Sequence, residues 1–532
     1  MDHTNVLIIG AGPTGLMAAI ECARRGLSVR IIDQSPSPSI HSKALGIQAR
    51  TLEIFHHLGI VEPFLKKGVP LHGANMVSQG KVLVHLSFDP IESPYPFLLS
   101  LEQSETERIL IDHLFSFKIA VEREKELISF EQDESLIKAT LRDVKSGKTE
   151  RVEADWMIGA DGCHSLVRKT LGFPFKGKAL SGIFSLADVQ IDWKYPKNEF
   201  IGFWDTNGLV GAIPLPHDRY RLIFLLTRCQ KALSASEKKI HGEIDLRSLP
   251  PPTIEEIFPL LQSHVGSEVK IKNPTWLAHF HIHSRLIDTF QKGRVFLAGD
   301  AAHIHSPAGG QGMNTGIQDA FNLAWKLSLV HFKKANRACL ETYTIERRSI
   351  AKKILQGTEK TSKIATMKNP ILIRIRNWIV SRLLSIPPLQ KQIVRAASQT
   401  VFQYPKNRLI LSSPLKEGPC VGMRSPNVLD LYDTVKKTTS HHLLLFSGLN
   451  PSSDRIEEMK RFSEKVEEKF HGELRSILIV HEGNDKTGKA HETYGAKKGA
   501  VYLLRPDHHI ACKSALFNSQ ALESYHQNLF RA

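Results

Sequence analysis

The first forty residues predict a strand, a tight turn, a helix and a second strand, in that order. Residues 6–9 form a short apolar run whose length and β-branching predict a buried parallel strand. Residues 16–25 have helical spacing and stop at Gly26. Residues 29–32 predict the next strand, which ends in Asp33. This βαβ order predicts a Rossmann-like α/β domain at the start of the chain.

The turn inside this unit carries the pattern G-x-G-x-x-G. Gly10 permits a tight turn, Gly12 lets a pyrophosphate approach the backbone, and Gly15 allows close packing of helix on strand. The helix N-terminus offers free N–H groups, and the acid at the end of the second strand can accept hydrogen bonds from ribose hydroxyls. The alternative is a tight turn without a ligand, and the unit alone does not separate NAD from FAD. The predicted contacts are Gly10, Ala11, Gly12, Pro13, Thr14, Gly15, Asp33 and Gln34.

A second glycine-rich segment follows another apolar run near residue 300. The sequence GDAAHIHSPAGGQGMNTGIQDAFNLAWKL predicts a strand that ends at Asp300, a loop, and a helix that starts at residues 311–314 and continues through Trp325. Glycines in this loop suit a backbone that passes close to a ligand. The alternative is an ordinary glycine-rich turn capped by Asn314.

A third segment, DWMIGADGCHSLVRKTLG, predicts a strand, the pair Asp161-Gly162 and a helix. The three segments in this order resemble the single-component flavoprotein aromatic hydroxylases, and the resemblance spans nearly the whole chain. It implies FAD as the cofactor and NAD(P)H as a transient co-substrate that has no Rossmann domain of its own. It also implies that Asp161 is linked to both FAD and NAD(P)H, and that Asp300 hydrogen-bonds the ribityl chain.

The resemblance extends to further cofactor contacts. Arg50 and Gln103 match positions that contact the phosphate and ribityl region, and Leu127 matches a main-chain contact to adenine. Their structural alternatives are a solvated helix residue, a helix cap and a core residue. The loop at Pro307 would face the flavin ring, and the following helix N-terminus would favour the negative charge of reduced flavin. The remaining implied cofactor contacts are Lys43, Ala44, Gly299, Gly310, Gly312, Met313 and Asn314.

The resemblance also implies how the chain is divided. The expected fold is a Rossmann-like FAD-binding domain with an inserted β-sheet substrate domain, a helical segment and a C-terminal thioredoxin-like domain. The last lacks CxxC, so we expect it to serve structure or contacts in a homodimer. The expected ranges are 1–70, 98–180 and 278–345 for FAD binding, 71–97 and 181–277 for the substrate domain, 346–404 for the helices and 405–532 for the last domain.

The implied reaction is hydroxylation of an aromatic, phenolic substrate. NAD(P)H reduces FAD, O2 adds at C4a to give a hydroperoxide, and its terminal oxygen attacks the electron-rich ring. The substrate side departs from phenol hydroxylases, since Leu45, Leu215 and Ile223 stand where those enzymes carry Asp, Arg and Tyr. No catalytic side chain is therefore assigned. Polar candidates nearby are His41, Lys43, Tyr220 and Arg221.

Other functions remain open. One is an FAD-dependent oxidoreductase or hydroxylase acting on a quinone or isoprenoid, and another is a non-catalytic binding protein that uses the flavin fold. A flavin halogenase would carry WxWxIP, which FWDTNGLVGAIP does not supply. The net charge of +16 could indicate a nucleic-acid binder, but the cations are scattered and no nucleic-acid motif accompanies them, so we expect no such partner. We also expect no metal, because the six cysteines lack zinc-type spacing and HFHIHS fits one strand face.

The location follows from the apolar segments. The apolar start is broken by glycines and follows Asp2, so we expect no secretory leader, and no apolar run reaches the ~18 residues of a membrane span. We therefore expect a cytoplasmic protein without an integral membrane segment. The basic segment NPILIRIRNWIVSRLLSIPPLQKQIV could lie on a membrane surface or pack on the body. The second interpretation, with arginines facing water, is favoured.

Overall fold

The computed structural model describes most of the chain. Lys43, His41 and Pro307, three residues singled out above, lie outside the described residues. The described ranges are 2–39, 44–78, 80–205, 208–226, 239–240, 243–244, 250–266, 269–305, 309–365, 367 and 369–530.

The first large sheet is built around the predicted N-terminal unit. Its parallel strands are β20, β11, β1, β2 and β8 in spatial order, with an antiparallel hairpin attached to β11 and a short strand beside β20. The carboxyl ends of the parallel strands therefore share one edge of the sheet, which is where α/β folds bind ligands. The strands are β1 (Asp2–Ile9), β2 (Val29–Asp33), β8 (Glu122–Arg123), β9 (Lys125–Gln132), β10 (Ile137–Asp143), β11 (Thr149–Gly159), β19 (Gln291–Lys292) and β20 (Val295–Leu297).

Helices cover this sheet and bury its apolar faces. The helix stop predicted at Gly26 is confirmed, since its φ is +84°, and a second helix ends in the same way at Gly59, whose φ is +78°. A three-stranded sheet of β3 (Gly46–Ile47), β4 (Val69–Leu71) and β7 (Leu98–Ser100) lies beside them. The helices are α1 (Pro13–Ala23), α2 (Ala49–Leu58), α3 (Val61–Lys67), α4 (Gln103–Phe115), α5 (Leu166–Thr170) and α7 (Gly312–His331).

The second large sheet is mostly antiparallel and inserted into the first unit. The order is β21-β18-β12-β15-β14-β13-β5-β6, and the turn between β14 and β15 has both His217 and Asp218 at positive φ. One face packs on α6 (Ile254–Val265). Two short strands, β16 (Lys239–Ile240) and β17 (Glu243–Ile244), pair separately. The strands of the large sheet are β5 (Gly73–Ser78), β6 (Lys81–Ser87), β12 (Lys176–Asp192), β13 (Glu199–Asp205), β14 (Gly208–Leu215), β15 (Arg219–Leu226), β18 (Lys270–Leu286) and β21 (His303–Ile304).

The C-terminal sheet has the order β23-β22-β24-β25. Its first two strands are parallel, the other pairs are antiparallel, and a helix follows the last strand, which is the thioredoxin-like arrangement. The elements are α11 (Leu431–Thr434), β22 (His441–Phe446), α12 (Ser453–Lys469), β23 (Leu474–Ile479), α13 (Lys489–Thr493), β24 (Ala500–Leu504), β25 (Ile510–Ala515) and α14 (Gln520–Phe530).

Three helices lie in the chain between α7 and the C-terminal sheet: α8 (Glu341–Ala365), α9 (Pro370–Leu383) and α10 (Pro387–Ala397). Pro387 is the first residue of α10, a position that proline favours. The expectation for α9 is wrong in one respect. Arg376 is buried and lies 5.2 Å over the Trp204 ring, while large apolar side chains face water. No helix within the described ranges is long and apolar enough to cross a membrane.

A buried charge cluster joins the C-terminal sheet to the first unit. The Glu346 carboxylate accepts hydrogen bonds from Lys326 Nζ at 2.8 Å and from the two terminal nitrogens of Arg505 at 2.6 and 2.9 Å. All three side chains are fully buried. Although burial opposes ionisation, Arg505 and Lys326 lower the pKa of Glu346 to about 2. Burial lowers the pKa of Lys326 to about 8, against the opposing effect of Glu346.

Candidate active site

The turn after β1 is closed by the protein's own backbone. Gly10 N donates to Ile32 O at 2.9 Å, and Ala160 N donates to Ile9 O at 2.8 Å. Gly10 has φ of +100°, and a Cβ there would lie 2.4 Å from Ala160 O. A Cβ on Gly15 would lie 1.9 Å from Gly10 O. The packing roles predicted for these two glycines are confirmed.

Gly12 is different, because the protein itself does not require a glycine there. Its φ is −74°, and a Cβ built on it would meet no atom within 4 Å. It precedes α1, whose first N–H groups have no partner inside the helix. The open space at Gly12 is therefore what a phosphate needs in order to approach the helix N-terminus.

Asp33 lies at the carboxyl end of β2, beside this turn. Its carboxylate accepts hydrogen bonds from Ala11 N at 2.7 Å and from Ser35 N at 2.8 Å. Arg123 lies 3.8 Å from the carboxylate and was missed from the sequence, because β8 joins β2 only in the folded sheet. These contacts hold the carboxylate at the rim of the turn.

Asp161 follows β11, and its Cα is 3.0 Å from the position of a Cβ on Gly10. One carboxylate oxygen accepts from Leu166 N at 2.7 Å and Val167 N at 3.2 Å. The other oxygen is buried and has no hydrogen-bond partner among the described residues. Burial raises the pKa of Asp161, while its hydrogen bonds oppose the shift. An unpartnered buried oxygen beside the nucleotide turn fits a ligand that donates a hydrogen bond.

The Gly299-Asp300 pair occupies a short 3-10 turn after β20, so the strand ends at Leu297, three residues earlier than expected. Gly299 has φ of +61°, and a Cβ there would lie 2.6 Å from Thr14 Oγ1. This close contact fixes the turn against α1. Asp300 is exposed at the same edge of the sheet as Asp33 and Asp161.

Asp319, which sequence reasoning missed, anchors this turn from below. It accepts from Gly299 N at 3.1 Å and from Arg347 Nε at 2.7 Å, and His303 Nε2 lies 2.6 Å from it. Burial opposes its ionisation, yet His303 and Arg347 hold the pKa of Asp319 below its usual value. The sequence signal for Asp319 was an acidic residue within the apolar helical stretch GIQDAFNLAW, because a buried carboxylate needs a partner.

Asn314 links the glycine-rich loop to β3. Its side-chain oxygen accepts from Gln48 N at 2.9 Å, and its amide nitrogen donates to Gly46 O at 2.8 Å and Gly310 O at 2.7 Å. The alternative of a capping Asn314 is wrong, because Gln311 is the residue that precedes the helix. Gly310 has φ of +62°. The loop, β3 and the start of α7, with Gly312 and Met313, are thus held together by one fully buried amide.

Two other predicted contacts, Arg50 and Gln103, have protein partners. The Arg50 guanidinium donates to Glu53 at 3.0 Å and to Asp507 O at 2.8 Å, so the solvated alternative is wrong. Gln103 Nε2 donates to Glu107 at 2.7 Å. The residue that caps α4 is Glu102, so the cap alternative for Gln103 is also wrong. Their cofactor contacts stay predictions.

Three further predicted contacts are Leu127, Ala44 and Gln34. Leu127 is buried opposite Leu141, as its core alternative expects, and its contact to adenine stays a prediction. Ala44 lies beside the start of α4, since its carbonyl accepts from Gln103 N at 3.1 Å. Gln34, which directly follows Asp33 at the end of β2, is exposed.

The second sheet has one face on α6 and an opposite face, called here the inner face, which carries Leu215, Arg221, Ile223 and Phe280. The register of the strands places these four together, while Tyr220 points to the α6 side and is therefore removed from the polar candidates. Leu209, Ile223 and Phe280 pack against the buried Phe184, and the Phe184 and Phe280 rings stack at 5.5 Å.

Arg221 is the polar candidate that lies on the inner face. It donates twice to Asp188, at 2.7 Å each, and its guanidinium lies 4.6 Å over the Trp276 ring. Both side chains of this ion pair are almost fully buried. The charge of Arg221 is therefore neutralised and its position fixed.

Comparisons with known proteins agree with this geometry. Residues 3–358 match the FAD binding domain family, and residues 443–532 match the phenol hydroxylase C-terminal dimerisation domain. The chain is 30% identical to pentachlorophenol 4-monooxygenase of Sphingobium chlorophenolicum over 538 residues, covering 96% of this chain and 94% of that protein. It is 29% identical to 6-methylpretetramide 4-monooxygenase of Streptomyces rimosus, covering 96% and 91%.

Among solved structures, the anhydrotetracycline hydroxylase OxyS of Streptomyces rimosus superposes with a TM-score of 0.77 at 28% identity, covering 100% of this chain and 99% of that one. The match thus includes the first unit, the inserted sheet and the thioredoxin-like end. The open turn at Gly12 and the unpartnered oxygen of Asp161 fit the cofactor that defines these relatives. The chain belongs to the FAD-dependent aromatic monooxygenases.

Proposed function

We propose that the edge of the first sheet holds FAD through the residues predicted from the sequence. The pyrophosphate binds at Gly12 and the N-terminus of α1. The Asp33 carboxylate accepts hydrogen bonds from the adenosine ribose. Asp161 and Asp300 accept hydrogen bonds from other hydroxyl groups of the cofactor. The observation that carries this proposal is the empty space beside Gly12, since a Cβ on the neighbouring Gly10 or Gly15 would clash with backbone atoms of the protein. Bound FAD would accept a hydride from NAD(P)H and activate O2, which is the chemistry this family draws from its cofactor.

The test is a valine at Gly12. Its φ of −74° and empty surroundings mean that Gly12→Val leaves the protein's own packing intact while filling the phosphate path. We expect apoprotein with Gly12→Val to unfold at the wild-type temperature but to bind FAD at least about tenfold more weakly, since one lost charge-assisted contact is worth ~1.5–3 kcal/mol. FAD fluorescence titration measures the affinity.

Gly357→Val is the matched control, because a Cβ on Gly357 also meets nothing within 4 Å. It lies in α8, away from the strand ends, and we expect unchanged FAD affinity. Wild-type affinity in Gly12→Val would refute the proposed cofactor site.

We propose further that the substrate is an apolar aromatic compound of more than one ring. Leu215 and Ile223 replace the polar groups expected of a phenol hydroxylase, and the inner face around Ile223 is aromatic and aliphatic. Arg221 cannot offer a free charge, because Asp188 takes two of its donors. The protein would therefore orient the ring by shape and stacking, with water excluded, rather than by activating a phenolate.

The substrate class is tested by product formation with NAD(P)H and O2. We expect hydroxylation of 2-naphthol at a higher kcat/KM than that of phenol. Phe280→Ala removes an aromatic ring on which the substrate would stack and should lower kcat/KM for 2-naphthol about two- to tenfold, since an aromatic pair is worth ~0.5–1.5 kcal/mol beyond its buried area. Phe115→Ala, at an exposed position of α4, is the control. Equal kcat/KM values for the two substrates would refute the multi-ring proposal.

We also infer a cytoplasmic homodimer. The C-terminal family match supports a dimer. The described cysteines are all free, which fits a reducing compartment such as the cytoplasm. The division at residues 70, 97, 180, 277, 345 and 404 is retained as a proposal, and the change of sheet near residues 70, 97, 180 and 277 supports the first four boundaries.

A further inference from the structure

Helix α9 carries large apolar side chains on the side that faces water. They are between 41% and 67% exposed, although neighbouring residues of the same helix are buried. At 3.6 residues per turn they fall within an arc of about 140°. We call this set the apolar ridge: Ile371, Leu372, Ile375, Trp378, Ile379 and Leu383.

The opposite side of α9 is already used by the protein. Ile373 is buried, Asn377 donates to Ser78 Oγ at 3.2 Å, and the Arg376 guanidinium lies 5.2 Å over the Trp204 ring. The helix cannot roll to hide its ridge without breaking these contacts. The ridge is therefore a fixed, outward feature, and exposed apolar patches of this kind mark binding surfaces.

The charge around the ridge is of one sign. No Asp or Glu occurs between Glu359 and Glu417, a stretch that contains eleven Lys and Arg. Arg374 borders the ridge and Arg382 lies within its arc; both are exposed, and neither forms an ion pair within the described residues. The acidic side chain that reaches this stretch is Glu92, which pairs with Lys391 and Arg395 of α10. The surface thus combines apolar side chains, one tryptophan and uncompensated cations.

We propose that the apolar ridge docks on an anionic phospholipid surface. An amphipathic helix with apolar and basic side chains lies in the interface plane, with its apolar side in the acyl boundary and its cations at the headgroups. A second copy of this chain fits less well, because a twofold contact through the ridge would bring two acid-free, cationic stretches together. Docking is along the surface, since none of the helices in the described ranges could span the bilayer. It does not depend on the proposed activity.

The test uses the full chain with FAD and vesicles of two compositions. We expect co-flotation with vesicles containing phosphatidylglycerol and little with phosphatidylcholine alone. Raising the salt from about 0.05 to about 0.5 M should weaken the binding, because the Debye length shrinks. Tryptophan emission should shift to the blue on binding, since Trp378 moves from water to lipid.

Two variants examine the two parts of the surface. Ile375→Ser with Ile379→Ser should lower the partition coefficient at least about tenfold, because two apolar side chains no longer enter the acyl region. Arg374→Glu with Arg382→Glu should lower it at least about thirtyfold on anionic vesicles, because two attractions become repulsions. Both changes are at exposed positions and should leave the circular dichroism spectrum and the unfolding temperature unchanged.

Ile345→Ser is the matched control. Ile345 lies on α8 and is 46% exposed, against 48% for Ile375, but it is outside the ridge. We expect it to bind vesicles as wild type does. The proposal is overturned if wild type binds neither vesicle, if it binds both equally, or if the ridge variants bind as well as Ile345→Ser. It is also overturned if light scattering shows that ridge variants lose a subunit, because the ridge would then be a contact between copies.

Discussion

Glu346→Gln tests the buried charge cluster that joins the C-terminal sheet to α7 and α8. The glutamine keeps the shape of the side chain but removes the negative charge shared by Lys326 and Arg505. Asp507 also contacts Arg505 and keeps its negative charge. The variant cluster of Lys326, Arg505 and Asp507 therefore holds two buried cations and one anion. The cost arises because a buried charge that loses its partner keeps its desolvation penalty.

The size of the effect can be worked out in two ways. The pKa of Glu346 is lowered from 4.5 to about 2, which corresponds to roughly 3 kcal/mol at 1.36 kcal/mol for each unit. Removing one partner of a buried ion pair costs ~3–5 kcal/mol in other proteins. We therefore expect the free energy of unfolding at pH 7 to fall by about 3–5 kcal/mol.

Urea unfolding of the FAD-bound protein, followed by tryptophan fluorescence, measures the loss. Trp325 reports on the cluster, since the Arg505 guanidinium lies 5.2 Å from its ring. Glu341→Gln, at an exposed position of α8, is the control and should cost less than about 0.5 kcal/mol. Adding Lys326→Met to Glu346→Gln removes the cation left without its carboxylate and should recover part of the loss. Equal stability of Glu346→Gln and Glu341→Gln would refute the reasoning.

Three further predictions concern the site and the interface. Gly299→Ala should lower the free energy of unfolding by about 1–3 kcal/mol, because φ is +61° and the new Cβ would lie 2.6 Å from Thr14 Oγ1; Gly357→Ala, in open space, should not, and urea unfolding compares the two. Asn314→Ala should weaken FAD binding at least about tenfold in a fluorescence titration, because three hydrogen bonds that fix the loop are lost. His442 is buried and its pKa is lowered to about 4, so the unfolded chain binds its proton first, below about pH 6.5. The contribution of His442 to stability should therefore be full above pH 6.5 and fall by roughly 3 kcal/mol towards pH 4. The buried histidines His57, His441 and His508, whose pKa values are also lowered, add to the fall, so His442→Leu should reduce it by the share of His442 in urea titrations at several pH values.

The local parts of the site could be predicted from the sequence. Gly15 is required by its contact with Gly10 O, and Gly10 by its own φ of +100°, so their pattern is visible within a short stretch. Gly299 belongs to the same class, because its φ of +61° is a requirement of its own backbone. Such positions are specified by backbone sterics, which the sequence records directly.

The long-range parts could not be predicted. Arg50 donates to the carbonyl of Asp507, which is 457 positions away, and no periodicity or motif carries such a contact. The periodicity of α9 indicated two faces but not which face meets the body. That choice depends on Trp204 of the second sheet, which receives Arg376 and turns the apolar side outward.

The buried cluster at Glu346 also has a consequence for how the chain is made. Arg505, the partner that completes it, is synthesised 159 residues after Glu346. At ~5–20 residues per second, the ribosome delivers Arg505 roughly 8–30 seconds after the carboxylate. During that interval the nucleotide turns are already available, while α7 and α8 still lack their last charge partner. The C-terminal sheet therefore closes the structure late, and a nascent chain released before residue 505 would carry an unfinished interior.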